Sequence, residues 1–294
     1  MIRFHIPDFQ KNFRLNILFC KYFDLYRDYF WDDAEIDYIY DSFPLIWNGG
    51  RLQVGEVDLK KAEETLQQIQ KMGKQVAFTF TNSLLANEHL HDEAANAVMK
   101  IASGLDMKKS VIIHSGLLEE YIRNQYPDFG IILSTTKQLS TASDINAAME
   151  KDYELVVIDY NMNHEWDELL RIKDKARCEF LVNPCCVDAC PKRGAHYRRI
   201  SELQLLNEDP TKRKSIHDEK CVYAKNHYFI ARNNKNFMDM NEIRADYAPQ
   251  GFEHMKLEGR GGDRLNLLEQ YVQYMAKPEH KDRVRFEMLH ILGF

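Results

Sequence analysis

Residues 111–127, VIIHSGLLEEYIRNQYP, set the fold. Val111-Ile112-Ile113 is a continuous apolar run with no polar alternation, which predicts a strand covered on both faces. It ends in His114-Ser115, and a helical pattern over 117–126 follows until Pro127 stops it. The unit recurs. A strand over 76–80 ends in Thr81-Asn82 and leads to a helix over 92–103. One over 131–133 runs into Ser134-Thr135 and a helix over 144–150, and one over 155–158 runs into Asp159 and a helix over 165–176. Strands over 4–6 and 36–40 precede these units, separated by an aromatic-rich helical segment over 9–30, and strands over 180–182 and 255–257 follow them. That makes eight, the number that closes a parallel (β/α)8 TIM-like barrel. An open doubly wound sheet is the rival. The barrel is preferred because strand after strand ends in a polar residue, and a barrel gathers its strand ends at one mouth. Ser134, Thr135 and Asp159 equally suit helix caps.

Asp58 caps a further helix whose Leu59, Ala62, Leu66, Ile69 and Met72 share a face, with Gly73 at its end. Between the seventh and eighth strands the chain makes a cysteine-bearing excursion over 184–251. Connections of that length in a compact domain are usually functional or disordered. The excursion includes a charged stretch over 209–220, the run Tyr228-Phe229-Ile230 and a closing helix over 241–247. Helices over 264–275 and 282–292 end the chain. The expected organisation is therefore one barrel domain over 1–294, with 184–251 as an insertion and 264–294 as C-terminal helices.

The chain of 294 residues is 45% hydrophobic, enough for a large core, and its formal net charge of −6 gives no global attraction to nucleic acid or acidic surfaces. Met1-Ile2-Arg3-Phe4-His5 lacks the basic and apolar regions of a signal peptide, and no run approaches the length of a membrane span. A cytoplasmic protein without membrane contact is expected. In that compartment six clustered cysteines suggest metal or redox chemistry rather than a disulfide scaffold. Cys20, on an apolar helical segment, suits the core.

Residues 180–197, FLVNPCCVDACPKRGAHY, place Cys186 and Cys190 three residues apart in a loop after a strand halted by Asn183-Pro184, with Cys221 downstream. Two such thiolates can grip one metal, joined by Cys221. The stretch Asn183-Pro184-Cys185-Cys186-Val187-Asp188-Ala189-Cys190-Pro191 resembles the central motif of the peptidase U32 family, and Met255-Lys256-Leu257-Glu258-Gly259-Arg260 is similar to the Lys-Ile-Glu-Gly-Arg that closes that family's core. The resemblance covers roughly the C-terminal half. It implies a four-iron, four-sulfur (4Fe–4S) cluster with Cys186, Cys190 and Cys221 as three ligands and Cys185 as a candidate fourth, because Cys178 stands at the start of its strand, at the other end of the barrel. Zinc is the alternative, with His196 or His217 completing a site of three cysteines and one histidine. The activity class implied is an oxygen-independent hydroxylase or other modifying enzyme acting on an RNA base or small aromatic, rather than a protease, since neither His-Glu-x-x-His nor Gly-x-Ser-x-Gly occurs. A zinc-stabilised or non-catalytic barrel that binds a ligand or protein partner is the second reading, and a peptidase the third.

Arg193, His196, Tyr197, Lys256 and Glu258 are the candidate catalytic residues. Asn48, Arg51, Asn82, His114, Asn183 and Arg260 are the candidate substrate contacts, all near one barrel end. Lys256 and Glu258 share a strand face and equally suit a locking ion pair. Arg260 lies among glycines that let backbone N–H groups reach an anion. Lys192, Arg193, Arg198, Arg199, Lys212, Arg213 and Lys214 make a local basic stretch around Tyr197, suited to RNA or simply to water.

Overall fold

The computed structural model describes residues 1–207 and 228–294. Among these, eight parallel strands follow in order: β1 (Ile2–Pro7), β2 (Ala34–Asp41), β3 (Gln75–Phe80), β4 (Lys109–Ile113), β5 (Gly130–Leu133), β6 (Leu155–Val157), β7 (Cys178–Leu181) and β8 (His254–Lys256). Each pairs with the next, and β8 returns to β1, so the sheet closes as a barrel and the open-sheet alternative falls away.

Helices α1 (Phe13–Leu25), α2 (Leu59–Lys71), α3 (Glu93–Ser103), α4 (Gly116–Gln125), α5 (Ala142–Met149) and α6 (Trp166–Leu169) follow the first six strands. The β7–β8 excursion carries α7 (Arg193–Leu206), α8 (Tyr228–Ala231) and α9 (Met240–Glu242), and α10 (Arg264–Met275) and α11 (Lys281–Leu292) end the chain. The Asp58 carboxylate caps α2 by accepting from the Lys61 N–H at 3.0 Å, and Gly73 beyond its end has φ 64°. No helix of the described residues is long and apolar enough to cross a membrane.

Alternate side chains of each strand serve two cores. Phe4, Ile6, Val76, Phe78, Val111 and Ile113 pack outward against Leu66, Ile69 and Val98 of the helices. Tyr38, Tyr40, Ala77, Ile112, Ile132, Leu155 and Val157 form a separate cluster contributed by β2 to β6. Covered faces on both sides are why the strands lack polar alternation. The remaining strands depart from this: His5, Glu179, His254 and Lys256 are all buried. The β1–β2 register also slips, because Phe4 faces Ile36 while His5 faces Tyr38, leaving Asp37 as the extra residue of a bulge.

Two expected elements differ. The helix over 165–176 shrinks to the single turn of α6, because Asn146 on α5 intercepts its backbone, donating to Arg171 O at 3.1 Å and accepting from Lys173 N–H at 2.9 Å. The loop expected to present Arg193, His196 and Tyr197 is the start of α7. Its buried residues include Arg193, Ser201 and Gln204 beside Ile200 and Leu203, so no apolar stripe marks it as helical.

Candidate active site

The carboxyl end of the barrel is shaped first by the loop after β2. Asn48 Nδ2 donates to Arg51 O and Gln53 Oε1, both at 3.0 Å, while its Oδ1 accepts from Thr79 at 3.0 Å. Gly49 lies so near β3's end that a Cβ there would stand 2.5 Å from the Thr81 carbonyl carbon, and Gly50 takes φ 73°. The two glycines let the loop fold inward and deliver Arg51 to the mouth, where it ion-pairs with Glu258.

Three cations stand there together. Arg260 donates to Gly49 O at 3.2 Å and to the Thr79 hydroxyl, with Asp41 Oδ1 at 3.6 Å. Lys256 Nζ lies 3.1 Å from Glu179 Oε2 and 4.1 Å from the centre of the Tyr40 ring. With Arg51 they line a cleft of about 620 Å³, open solvent at its entrance included. Its floor is Ile112, Val157 and Leu181, and hydroxyls from Thr79, Thr81 and Ser134 to Thr136 face the cations, with Tyr40, Tyr197 and Glu258 between. An apolar floor with a few convergent polar groups is the usual character of a small-molecule site. Burial pushes the Asp41 carboxyl up to about 7, against the pull of Arg260, and its Oδ2 accepts no hydrogen bond among the described residues.

The cysteine loop adjoins this cleft through Glu258. Glu258 Oε2 accepts from the Cys185 N–H at 2.8 Å, and Asn183 grips the Glu258 backbone, accepting its N–H at 2.7 Å and donating to its carbonyl at 3.2 Å. Ala189 takes φ 48°, rare for a residue with a side chain, and Cys190 stands near enough to Cys186 to help raise its thiol. Asn161 accepts from the Ala189 N–H at 3.1 Å, and Asn234 donates to Pro184 O at 2.8 Å, so the loop is pinned from both sides. Cys185 is buried, whereas Cys186 and Cys190 are half-buried. Burial raises the Cys186 thiol above its ordinary range, opposed by the Tyr160 hydroxyl. Cys178 is buried at the other end of the barrel with its sulfur 3.6 Å from Asp174 O, and burial pushes Cys20 in α1 up to about 12.

Among solved structures this chain is similar to a U32 peptidase. That structure, described as the U32 peptidase Mk0906, superposes with a TM-score of 0.57 over 88% of this chain and 93% of that one, at 13% sequence identity. At that identity the likeness carries the fold. No protein-family model and no curated protein matches the sequence.

Of the residues expected at the site, Arg51, Tyr197, Lys256, Glu258 and Arg260 line the cleft. Arg193 does not. It is buried, bidentate to Asp159 at 2.7 Å, and stacked 3.8 Å from the Tyr160 ring centre, with its Nε donating to the Tyr197 hydroxyl at 3.2 Å. It therefore positions Tyr197. Asn48 and Asn183 hold the surrounding loops, and Asn82 donates to Ile46 O at 2.8 Å and to Ser201 O at 3.3 Å, tying α7 to β3's end. His114 reaches the cleft through hydroxyls, its Nδ1 2.8 Å from Thr136 Oγ1, which donates to Ser134 Oγ at 2.9 Å. Burial, with Lys137, lowers His114 to about 4. His196 is half-buried on α7 and outside the cleft lining. Cys221, His217, Lys212, Arg213 and Lys214 lie outside the described residues. Sequence reasoning missed Tyr40, Asp41 and Thr79, although the two-residue strand period places Tyr40 in line with Tyr38 and Thr79 with Thr81.

Proposed function

We propose that this chain is a U32-like enzyme that takes a small anionic substrate, of the size of an aromatic acid, at the barrel mouth beside a 4Fe–4S cluster held by Cys186, Cys190 and Cys221, with Cys185 as the further thiol available. The observation that carries the reading is the joining of a three-cation cleft to two adjoining thiols through Glu258. When bound, such a cluster supplies one-electron chemistry. Arg51, Arg260 and Lys256 would hold a carboxylate or phosphate, and Ile112, Val157 and Leu181 would keep water from its apolar part. Asp41, with its carboxyl near 7, is suited to exchange a proton at neutral pH, and the Ser134–Thr136–His114 chain offers a second proton route. A small substrate is favoured over RNA because Lys256 and Arg260 lie buried within the barrel mouth rather than spread on an open surface. Hydroxylation without oxygen is the reaction class that the family resemblance adds to this geometry.

Purification without air tests it. The expected product is a brown protein with iron and sulfide in equal amounts, most of which is lost in Cys186→Ser, Cys190→Ser and Cys221→Ser but kept in Cys20→Ser and Cys178→Ser. Zinc without iron that is lost in Cys186→Ser and Cys190→Ser would select the alternative metal at the cysteines, and equal loss in all five variants would remove the cysteine assignment.

A further inference from the structure

The amino-terminal half of the barrel interior holds another cluster, which the mouth chemistry does not use. His5 on β1 and His254 on β8 face one another with His5 Nε2 3.1 Å from His254 Nδ1, and Asp37 Oδ2 stands 3.9 Å from the same His5 nitrogen. All three residues are buried, and their donor atoms lie within 4.8 Å of one another. Asp37 is there because of the β1–β2 bulge, which adds it as an unpaired residue between Ile36 and Tyr38. Bulges commonly re-aim a side chain at the expense of the ladder. This one turns a carboxylate towards two imidazoles.

The surroundings fix the orientation of each group. Glu179 is hydrogen-bonded to His5 Nδ1, an arrangement that would place a ring proton on that nitrogen and leave Nε2 to a metal. Glu179 is itself held by Lys256 at 3.1 Å. Gln75 donates to Asp37 Oδ1, so Oδ2 is the oxygen turned to the histidines, beyond hydrogen-bonding distance of His5. A single proton shared by the two rings therefore leaves Asp37 Oδ2 outside the bond.

We propose that His5 Nε2, His254 Nδ1 and the Asp37 carboxylate bind one zinc ion at the amino-terminal end of the barrel. Zinc bonds of about 2.0–2.1 Å to nitrogen and oxygen in a tetrahedron separate the donors by about 3.3 Å, and the observed separations of 3.1 and 3.9 Å bracket that value. The carboxylate behind a metal-bound imidazole, which fixes its tautomer and raises its basicity, is Glu179. The three side chains supply three of the four tetrahedral positions, and a water would complete the shell. The ion joins β1, β2 and β8 at the seam where the barrel closes, and it requires none of the cysteines.

The test uses the full-length chain carrying Cys186→Ser and Cys190→Ser, stripped with a chelator and titrated with zinc chloride. One equivalent is expected to bind, to raise the melting temperature, and to show only nitrogen and oxygen neighbours by X-ray absorption. Glu179→Gln is expected to weaken binding by about 10–100-fold, with Asp37→Asn and His254→Gln each costing more. Absence of binding at micromolar zinc, sulfur in the shell of this variant, or a titration unchanged by Asp37→Asn would overturn the site. Should the double cysteine variant fail to fold, His254→Gln in the otherwise native chain must lower zinc stoichiometry by one, and an unchanged stoichiometry overturns it equally.

Discussion

Replacing Glu179 by Gln in the metal-free chain, with chelator present, isolates the charge that organises the barrel interior. Glu179 is 0% exposed. Burial alone would raise its carboxyl, but Lys256 and His5 outweigh it and hold the folded value at about 2 against an ordinary 4.5. At about 1.4 kcal/mol per unit, that difference corresponds to about 3 kcal/mol of stability at neutral pH. Because the folded value is the lower one, this contribution is complete above 4.5 and drains away as pH falls from 4.5 toward 2. The variant also leaves Lys256 buried without its counter-charge, a loss that typically costs about 3–5 kcal/mol. Urea unfolding at pH 7 should therefore show a drop of that order, and the acid limb of the variant's stability profile below pH 4.5 should be flatter than that of the native chain. Glu179→Leu with Lys256→Met, which removes both charges, should recover much of the loss. A Glu179→Gln drop below about 1 kcal/mol, or an unchanged acid limb, would refute the pairing as the source of the charge's stability.

Gly49→Ala should cost about 1–3 kcal/mol by overpacking and displace both Arg51 and Arg260, because the new Cβ would meet the Thr81 main chain at 2.5 Å; thermal melts read the first effect and loss of small-anion binding the second. Gly116→Ala, with nothing within 4 Å of its Cβ, is the neutral control, and equal behaviour of the two would remove the close-approach argument. His114→Gln should flatten the stability profile between pH 6.5 and about 4, where the unfolded chain takes up a proton that burial denies the folded imidazole, so native stability falls as pH falls. An identical profile in the variant would sink that assignment.

The barrel was legible because its strands are covered on both faces, so that Val111-Ile112-Ile113 and its counterparts stand out as unbroken apolar runs. Strand ends were legible for the same reason, since chemistry at the mouth begins where the apolar run stops. What depends on contacts remote in sequence was hidden. α6 is cut short by Asn146 from another helix, and α7 buries Arg193 against Asp159 rather than presenting it. Asn48, Asn82 and Asn183 stand in loops or at strand ends, as their sequence positions suggest, but the main-chain and side-chain groups that they bond are remote and no sequence pattern displays them. Asp37, His5 and His254 carry no local signal at all, since one residue comes from each of three strands and the bulge that aligns them is a register event between β1 and β2.

The interior of a parallel barrel is ordinarily packed with layers of branched apolar side chains; here the apolar interior cluster comes from β2 to β6, while β1, β7 and β8 contribute His5, Glu179, His254 and Lys256. Burying ions is costly unless they are paired and fully hydrogen-bonded, and apolar residues of the same volume often give equal or better stability. Stability alone therefore does not account for Glu179 and Lys256. Lys256 belongs to both ends of the interior: its Nζ bonds both oxygens of Glu179 at 3.1 and 3.3 Å, and the same side chain lines the cleft over the Tyr40 ring. Burial pulls the Lys256 ammonium toward its neutral form, with Arg260 adding to that pull, and Glu179 is what opposes it. The positive charge that the mouth can offer an anion is thus sustained from inside the barrel, by a carboxylate that lies below the cleft and outside its lining.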